Sequence, residues 1–160
     1  MTKETAKKIG RNEAFKSVTI GLIVAQVIMT LLSSETNLFK GFFWFIEFNY
    51  KLNVVIAIIA IYLCAYFYGQ IAGKAIIING KDHLWTGFLY GLLTLVTSTF
   101  LASWTGFFQE GIDNLGTSDE PFNDYIIKPL FWVTIFGIVP VLIVGFWFGS
   151  RIREKGRNYR

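Results

Sequence analysis

The sequence predicts an all-α integral membrane protein: four transmembrane helices forming two tandem helical hairpins, plus a short amphipathic interfacial helix at about residues 38–50. Three observations lead to this fold class. Four apolar stretches, at about 17–34, 52–78, 84–105 and 129–150, carry no Asp, Glu, Lys or Arg in their middles. Each approaches the roughly 20 residues that a helix needs to cross a hydrocarbon core of about 30 Å. Hydrophobic residues make up 53% of the 160-residue chain and charged residues only 16%, where a soluble domain has about a quarter charged. Finally, the basic residues fall on alternate connections, as expected of a multi-pass chain. At this length the whole of 1–160 reads as one four-helix transmembrane domain with short basic tails.

The first span follows Lys3, Lys7, Lys8, Arg11 and Lys16. Those bases and the apolar run resemble a signal peptide, but the run is long and no A-x-A cleavage pattern follows it, so a retained helix is expected. Between the first two spans lies Asn37–Lys51, in which Lys40, Trp44, Glu47 and Lys51 form a narrow polar stripe when wound as a helix. The remaining face presents Phe39, Phe42, Phe43, Phe45 and Phe48. This stretch is too short to cross and return, so it is expected to lie in the headgroup region with its lysines snorkelling. The second span contains Cys64 between Leu63 and Ala65, a setting for a buried, inert thiol. Trp85 and Trp104 bracket the third span, about 28 Å apart along a helix, which suits two interfacial anchors. In the fourth span Pro129 occupies a first-turn position and Pro140 is expected to kink the helix.

Twelve of the 15 basic residues lie on one side: the five before the first span, Lys74 and Lys81 in the second connection, and Arg151, Arg153, Lys155, Arg157 and Arg160 at the end. Opposite them stand Lys40, Lys51 and Lys128 with Glu35, Glu47, Glu110, Asp113, Asp119, Glu120 and Asp124. The positive-inside rule then places both termini in the cytoplasm and the chain in the plasma (inner) membrane.

An internal repeat is also expected. Sliding the chain along itself superposes Gly10 on Gly80 and Gly21 on Gly91, and a somewhat longer slide superposes Gly69 on Gly149. In these registers Ser17-x-x-x-Gly21 overlies Gly87-x-x-x-Gly91, and Ala65-x-x-x-Gly69, extended by Gly73, overlies Gly145-x-x-x-Gly149. Small residues four apart make flat strips where helices approach closely, either within one chain or between subunits of a homo-oligomer.

Residues able to carry chemistry are few. One cysteine excludes an intrachain disulfide and a cysteine zinc site, and one histidine, His83, excludes a histidine-rich metal centre. Small multidrug-resistance transporters have a similar size and four spans but depend on a first-helix glutamate. Within Val18–Leu32 this chain offers only Thr19, Gln26 and Thr30. Thr94, Thr97 and Ser98 share one face of the third helix and are candidates for a narrow polar path, or for hydroxyls bonded back to helix carbonyls. The acidic outer loop lacks the spacing of an EF-hand. Arg151, Arg153, Lys155 and Arg157 are candidates for contact with lipid headgroups or a cytosolic protein.

No cofactor, metal, catalytic residue or nucleic-acid partner is expected. The leading expectation is a non-enzymatic, oligomeric membrane subunit that anchors or senses for a cytosolic partner. Four-span subunits of multi-protein membrane systems, antiphage defence among them, are similar in build. The alternative is a small ion channel or pore-forming membrane effector lined by the hydroxyl face of the third helix.

Overall fold

The computed structural model describes residues 1–33, 42–43, 51–113, 115 and 120–158. Four long helices account for most of them: α1 (Lys3–Ser33), α2 (Lys51–Ile77), α3 (His83–Gly106) and α4 (Lys128–Arg157). All four are long and apolar enough to cross a membrane, and there is no strand among the described residues. The fold is therefore all-α and of the four-helix membrane type.

The expected spans at 84–105 and 129–150 lie inside their helices, and the span at 52–78 passes the end of α2 by one residue. The first span is helical as far as Ser33, the last residue described there. Two helices run well past the expected spans at their other ends. α1 begins about four turns before residue 17, so Lys7, Lys8 and Arg11 stand on helix. α4 continues from residue 150 to Arg157, so most of the basic C-terminal segment is helical as well. Pro129 occupies the first turn of α4, and the helix continues through Pro140. α3 opens on Asp82, whose side chain accepts a hydrogen bond from Trp85 N at 2.9 Å; an aspartate at this position satisfies a donor that the first turn leaves free. Single π-helical turns, Phe107–Gly111 and Asn123–Ile127, finish α3 and lead into α4 at the end away from the termini.

Each helix packs on its sequence neighbour, α1 also packs on α4, and α2 meets α4 across the bundle. α1 and α3 stand at the far corners. Burial is concentrated at the end that carries the two termini. Ala6, Ile9, Ala14, Ala65, Ala72, Ile76, Ile77, Phe148 and Ile152 form the core there. Large apolar side chains farther along α1 and α4, including Leu31, Phe136, Val139 and Ile143, are exposed. That distribution suits a bundle whose outer surface meets lipid.

Two close helix crossings hold this end together. A methyl group placed on Gly10 of α1 would lie 2.7 Å from Gly73 Cα and 2.8 Å from Gly73 N of α2. One placed on Gly87 of α3 would lie 2.8 Å from Gly149 Cα and 2.7 Å from Gly149 N of α4. Gly69 and Gly145 occupy matching places one turn away, 2.9 Å and 3.1 Å from the carbonyl oxygens of Gly10 and Gly87 by the same construction. The two hairpins thus repeat one crossing, but not in the register that sequence identities favour. Gly10 corresponds to Gly87 rather than to Gly80, while Gly69 corresponds to Gly145 and Gly73 to Gly149. Neither slide reproduces the offset at which the two crossings superpose. In the structural register Gly69-x-x-x-Gly73-x-x-Ile76 matches Gly145-x-x-x-Gly149-x-x-Ile152, and both isoleucines are buried.

Most of the expected small-residue positions therefore serve packing within the chain. Ala65, Gly69, Gly73, Gly87, Gly145 and Gly149 are buried at or beside the two crossings, and Gly91 rests in ordinary contact with Val141. Ser17 is buried with its hydroxyl bonded to the Glu13 carbonyl at 2.8 Å. Gly21 differs: a methyl group there would meet nothing within 4 Å. Gly10→Val and Gly149→Val, which meet backbone, are each expected to cost about 3 kcal/mol or more. Gly21→Val is expected to stay within about 0.5 kcal/mol. Thermal unfolding of the purified protein in detergent measures the difference.

Candidate functional site at the basic end

The second connection and the end of α4 enclose the clearest concavity. Gly80, in the left-handed conformation at φ 66°, turns the chain after α2, and Lys81 N donates to the Ala75 carbonyl at 3.0 Å. This turn brings Lys81, Asp82 and His83 beside Arg153 and Arg157. Together with Ile76, Ile77 and Gly156 they line an open cleft of about 370 Å³. The sequence offset that relates Gly73 to Gly149 also lays Gly80 on Gly156 and Lys81 on Arg157, although Gly80 turns the chain and Gly156 is still within α4. The floor is apolar and glycine-rich, and the walls are cationic. Arg153 Nη1 lies 3.3 Å from His83 Nδ1 and 3.4 Å from Nε2. His83 is therefore packed beside an arginine rather than standing free in a loop. Asp82, the acid at the lip, is committed to capping α3, with its second oxygen 3.8 Å from His83 Nδ1.

A second cleft of about 350 Å³ lies between α1 and α2, lined by Glu4, Thr5, Lys7, Lys8, Arg11, Tyr66 and Gln70. The Arg11 guanidinium sits 5.5 Å from the centre of the Tyr66 ring, a cation–π distance. Lys7 is paired with Glu4 at 2.9 Å. Both clefts set three bases against one acid, but here the acid is ion-paired with a base of the cleft, whereas Asp82 caps α3.

An ionic group joins α1 to α4 below these clefts. Glu13 is only 3% exposed, which requires partners for a carboxylate. Its Oε1 accepts from Lys16 Nζ at 2.8 Å, and its Oε2 lies 3.8 Å from Arg151 Nε. Arg151 in turn reaches Glu154 at 2.6 Å. Glu13 Oε2 and Arg151 Nε have no hydrogen-bond partner, so this inter-helix contact is electrostatic and loosely seated. By sequence Glu13 counts only as a tail charge. Its burial is legible in one signal, because position 13 shares a helix face with Ala6, Gly10, Ala14 and Ser17.

The hydroxyl candidates of α3 are engaged locally. Thr94 Oγ1 donates to the Tyr90 carbonyl at 2.7 Å and Ser98 Oγ to the Leu95 carbonyl at 3.0 Å. Thr97 Oγ1 pairs with Tyr68 Oη at 3.1 Å, tying α3 to α2. Of the expected interfacial helix, Phe39, Phe45 and Phe48 lie outside the described residues. Phe42 and Phe43 are described, with their rings 5.2 Å apart edge to face, and the Phe42 carbonyl accepts from Gln26 Nε2 at 2.8 Å. Among the tail bases, Arg153 and Arg157 line the first cleft, Arg151 faces Glu13, and Lys155 belongs to neither cleft. Among the described residues no group of three or more His, Cys, Asp or Glu is placed to hold a metal.

No protein-family model, curated protein or solved structure matches this chain.

Removing the buried carboxylate leaves Arg151 facing an apolar seam, so Glu13→Ala is expected to lower stability by about 1–3 kcal/mol. Lys16→Ala, which removes a largely exposed partner, is expected to cost less than about 1 kcal/mol. Denaturant unfolding of both variants in the same detergent provides the comparison.

Proposed function

We propose that this chain is a non-enzymatic polytopic subunit of a larger membrane complex, anchoring or sensing for a cytosolic partner at its basic end. In this reading both termini lie in the cytoplasm, following the charge asymmetry across the spans. The observation that carries it is the helical extension of α1 and α4 beyond their apolar spans. Lys7, Lys8 and Arg11 on one helix, and Arg151, Arg153, Lys155 and Arg157 on the other, are presented on ordered surfaces tied together by Glu13. A fixed array of bases loses less conformational entropy on docking than a disordered tail.

Self-association belongs to the same proposal. The glycine strips lend it little, because they are occupied within the chain. Its support is the open face around Gly21 and the exposed apolar length of α1 and α4. The pore reading draws less support, since the hydroxyls at 94, 97 and 98 are bonded to carbonyls and to Tyr68.

Two measurements test the proposal. Proteoliposomes containing the purified chain are expected to hold an ion gradient as well as empty vesicles. From native membranes, one cytosolic protein is expected to co-purify in fixed stoichiometry, to rebind the purified chain, and to be lost when Arg151 and Lys155 become glutamate. Ion leak that changes with Thr94→Val or Ser98→Ala would replace anchoring with conduction.

A further inference from the structure

We infer that the cleft between the α2–α3 turn and the end of α4 binds a phosphate group carried by a small organic anion. The observation is the convergence of Lys81, His83, Arg153 and Arg157 around one concavity whose only acid among the described residues is the cap residue Asp82. Lys81, Arg153 and Arg157 are not ion-paired with a carboxylate among the described residues, which is also true of Lys3, Lys8, Arg11, Lys51, Lys74 and Lys155. What sets the three apart is that they line one concavity together. Like charges gathered this way repel one another, and an anion relieves the repulsion. Arginine supplies forked donors that match phosphate oxygens two at a time, and the lysine adds a point charge.

Shape points the same way. Gly80 and Gly156 leave the floor without side chains, and a methyl group on Gly156 would lie 2.9 Å from Ile77 Cγ1. At about 370 Å³ the cleft has room for more than a bare phosphate ion. The apolar Ile76 and Ile77 suit the organic part that the phosphate carries. Trp85, two positions after His83, is 66% exposed, and Leu84 is also exposed. A tryptophan in that setting belongs at the headgroup level, so the phosphate has two candidate sources. It is the headgroup of an anionic phospholipid in the adjoining leaflet, or the same chemistry on a soluble organic phosphate. The inference is independent of any cytosolic partner, because it is tested with the purified chain alone.

The test uses the full chain in nanodiscs of phosphatidylcholine, with or without phosphatidylglycerol, and counts retained anionic lipid by native mass spectrometry. Glycerol 3-phosphate, added to nanodiscs of phosphatidylcholine alone, is the soluble probe. Joint Arg153→Gln and Arg157→Gln substitution is expected to weaken retention about 30-fold, at roughly a fivefold loss per base. Lys81→Gln, in the turn and outside the helix packing, is expected to weaken it about fivefold and guards against a folding defect in the double variant. Joint Lys3→Gln and Lys74→Gln substitution removes the same charge outside the cleft and is expected to change retention by no more than about twofold. Retention of phosphatidylglycerol with this pattern identifies a lipid headgroup site. Binding of glycerol 3-phosphate alone, with the same pattern, identifies a soluble phosphate. Equal loss in the cleft and control variants, or no binding of either probe, overturns the inference.

Discussion

Everything at the basic end depends on backbone meeting backbone at two glycine crossings. Helices in lipid gain little from hiding apolar surface from each other, because the acyl chains are equally apolar; close approach and the dispersion contacts it permits must hold them. Gly10 against Gly69 and Gly73, and Gly87 against Gly145 and Gly149, supply that approach in matching geometry. Once those contacts are set, the small core of Ala6, Ala72, Phe148 and Ile152 fills the space between the hairpins. The termini of α2 and α4 are then fixed side by side, which is what brings Lys81 beside Arg157. Farther from the crossings the helices expose Leu31, Phe136, Val139 and Ile143 on their outer faces.

The two hairpins share a frame but differ in what they place on it. Across the bundle, Ala72 corresponds to Phe148, and the larger ring fills space where the smaller residue admits its neighbours. Ser17 corresponds to Thr94, and both are buried hydroxyls bonded to the carbonyl four residues back. That pairing explains why the α3 hydroxyls are better understood as packing polar groups in a helix face than as an isolated polar stripe. A hydroxyl bonded in its own helix buries no unsatisfied donor, so it tolerates a site close to a neighbouring backbone.

The length and apolar character of the spans made the four helices legible, because nothing but a helix or closed barrel satisfies its backbone in lipid. Helix ends were less legible. Lys7, Lys8 and Arg11 look like tail residues by charge, yet the helix continues through them because their long side chains disfavour no helical backbone. The repeat was visible as recurring Gly-x-x-x-Gly spacing, but its register was not. Leucine and glycine identities recur by chance in apolar helices, and only contact shows which glycine stands at a crossing. The cleft was hidden for the same reason: Lys81 lies in the turn before α3 and Arg157 at the end of α4, and they come together through the packing of α3 and the end of α2 against α4. The spacing of charges made an interfacial helix the expectation for the aromatic stretch around Phe42, of which all but Phe42, Phe43 and Lys51 lies outside the described residues.

Glu13 shows how position relative to a crossing outweighs composition. It stands three residues beyond Gly10, as Tyr90 stands three beyond Gly87. If the hairpins are related by an axis along the membrane normal, equivalent positions share a depth. Tyr90 then lies five residues, about 7–8 Å of helix, farther along the apolar span than exposed Trp85, and Glu13 lies level with it. A carboxylate at that depth is costly unless countered, and Lys16 and Arg151 approach it from two different helices. Lys16 keeps most of its side chain exposed while its ammonium stays on Glu13, so the lysine of α1 serves the seam from the outside. Arg151 reaches it from α4, the one ion pair between α1 and α4 among the described residues. The acid that composition assigns to a tail thus sits where the two hairpins close on each other.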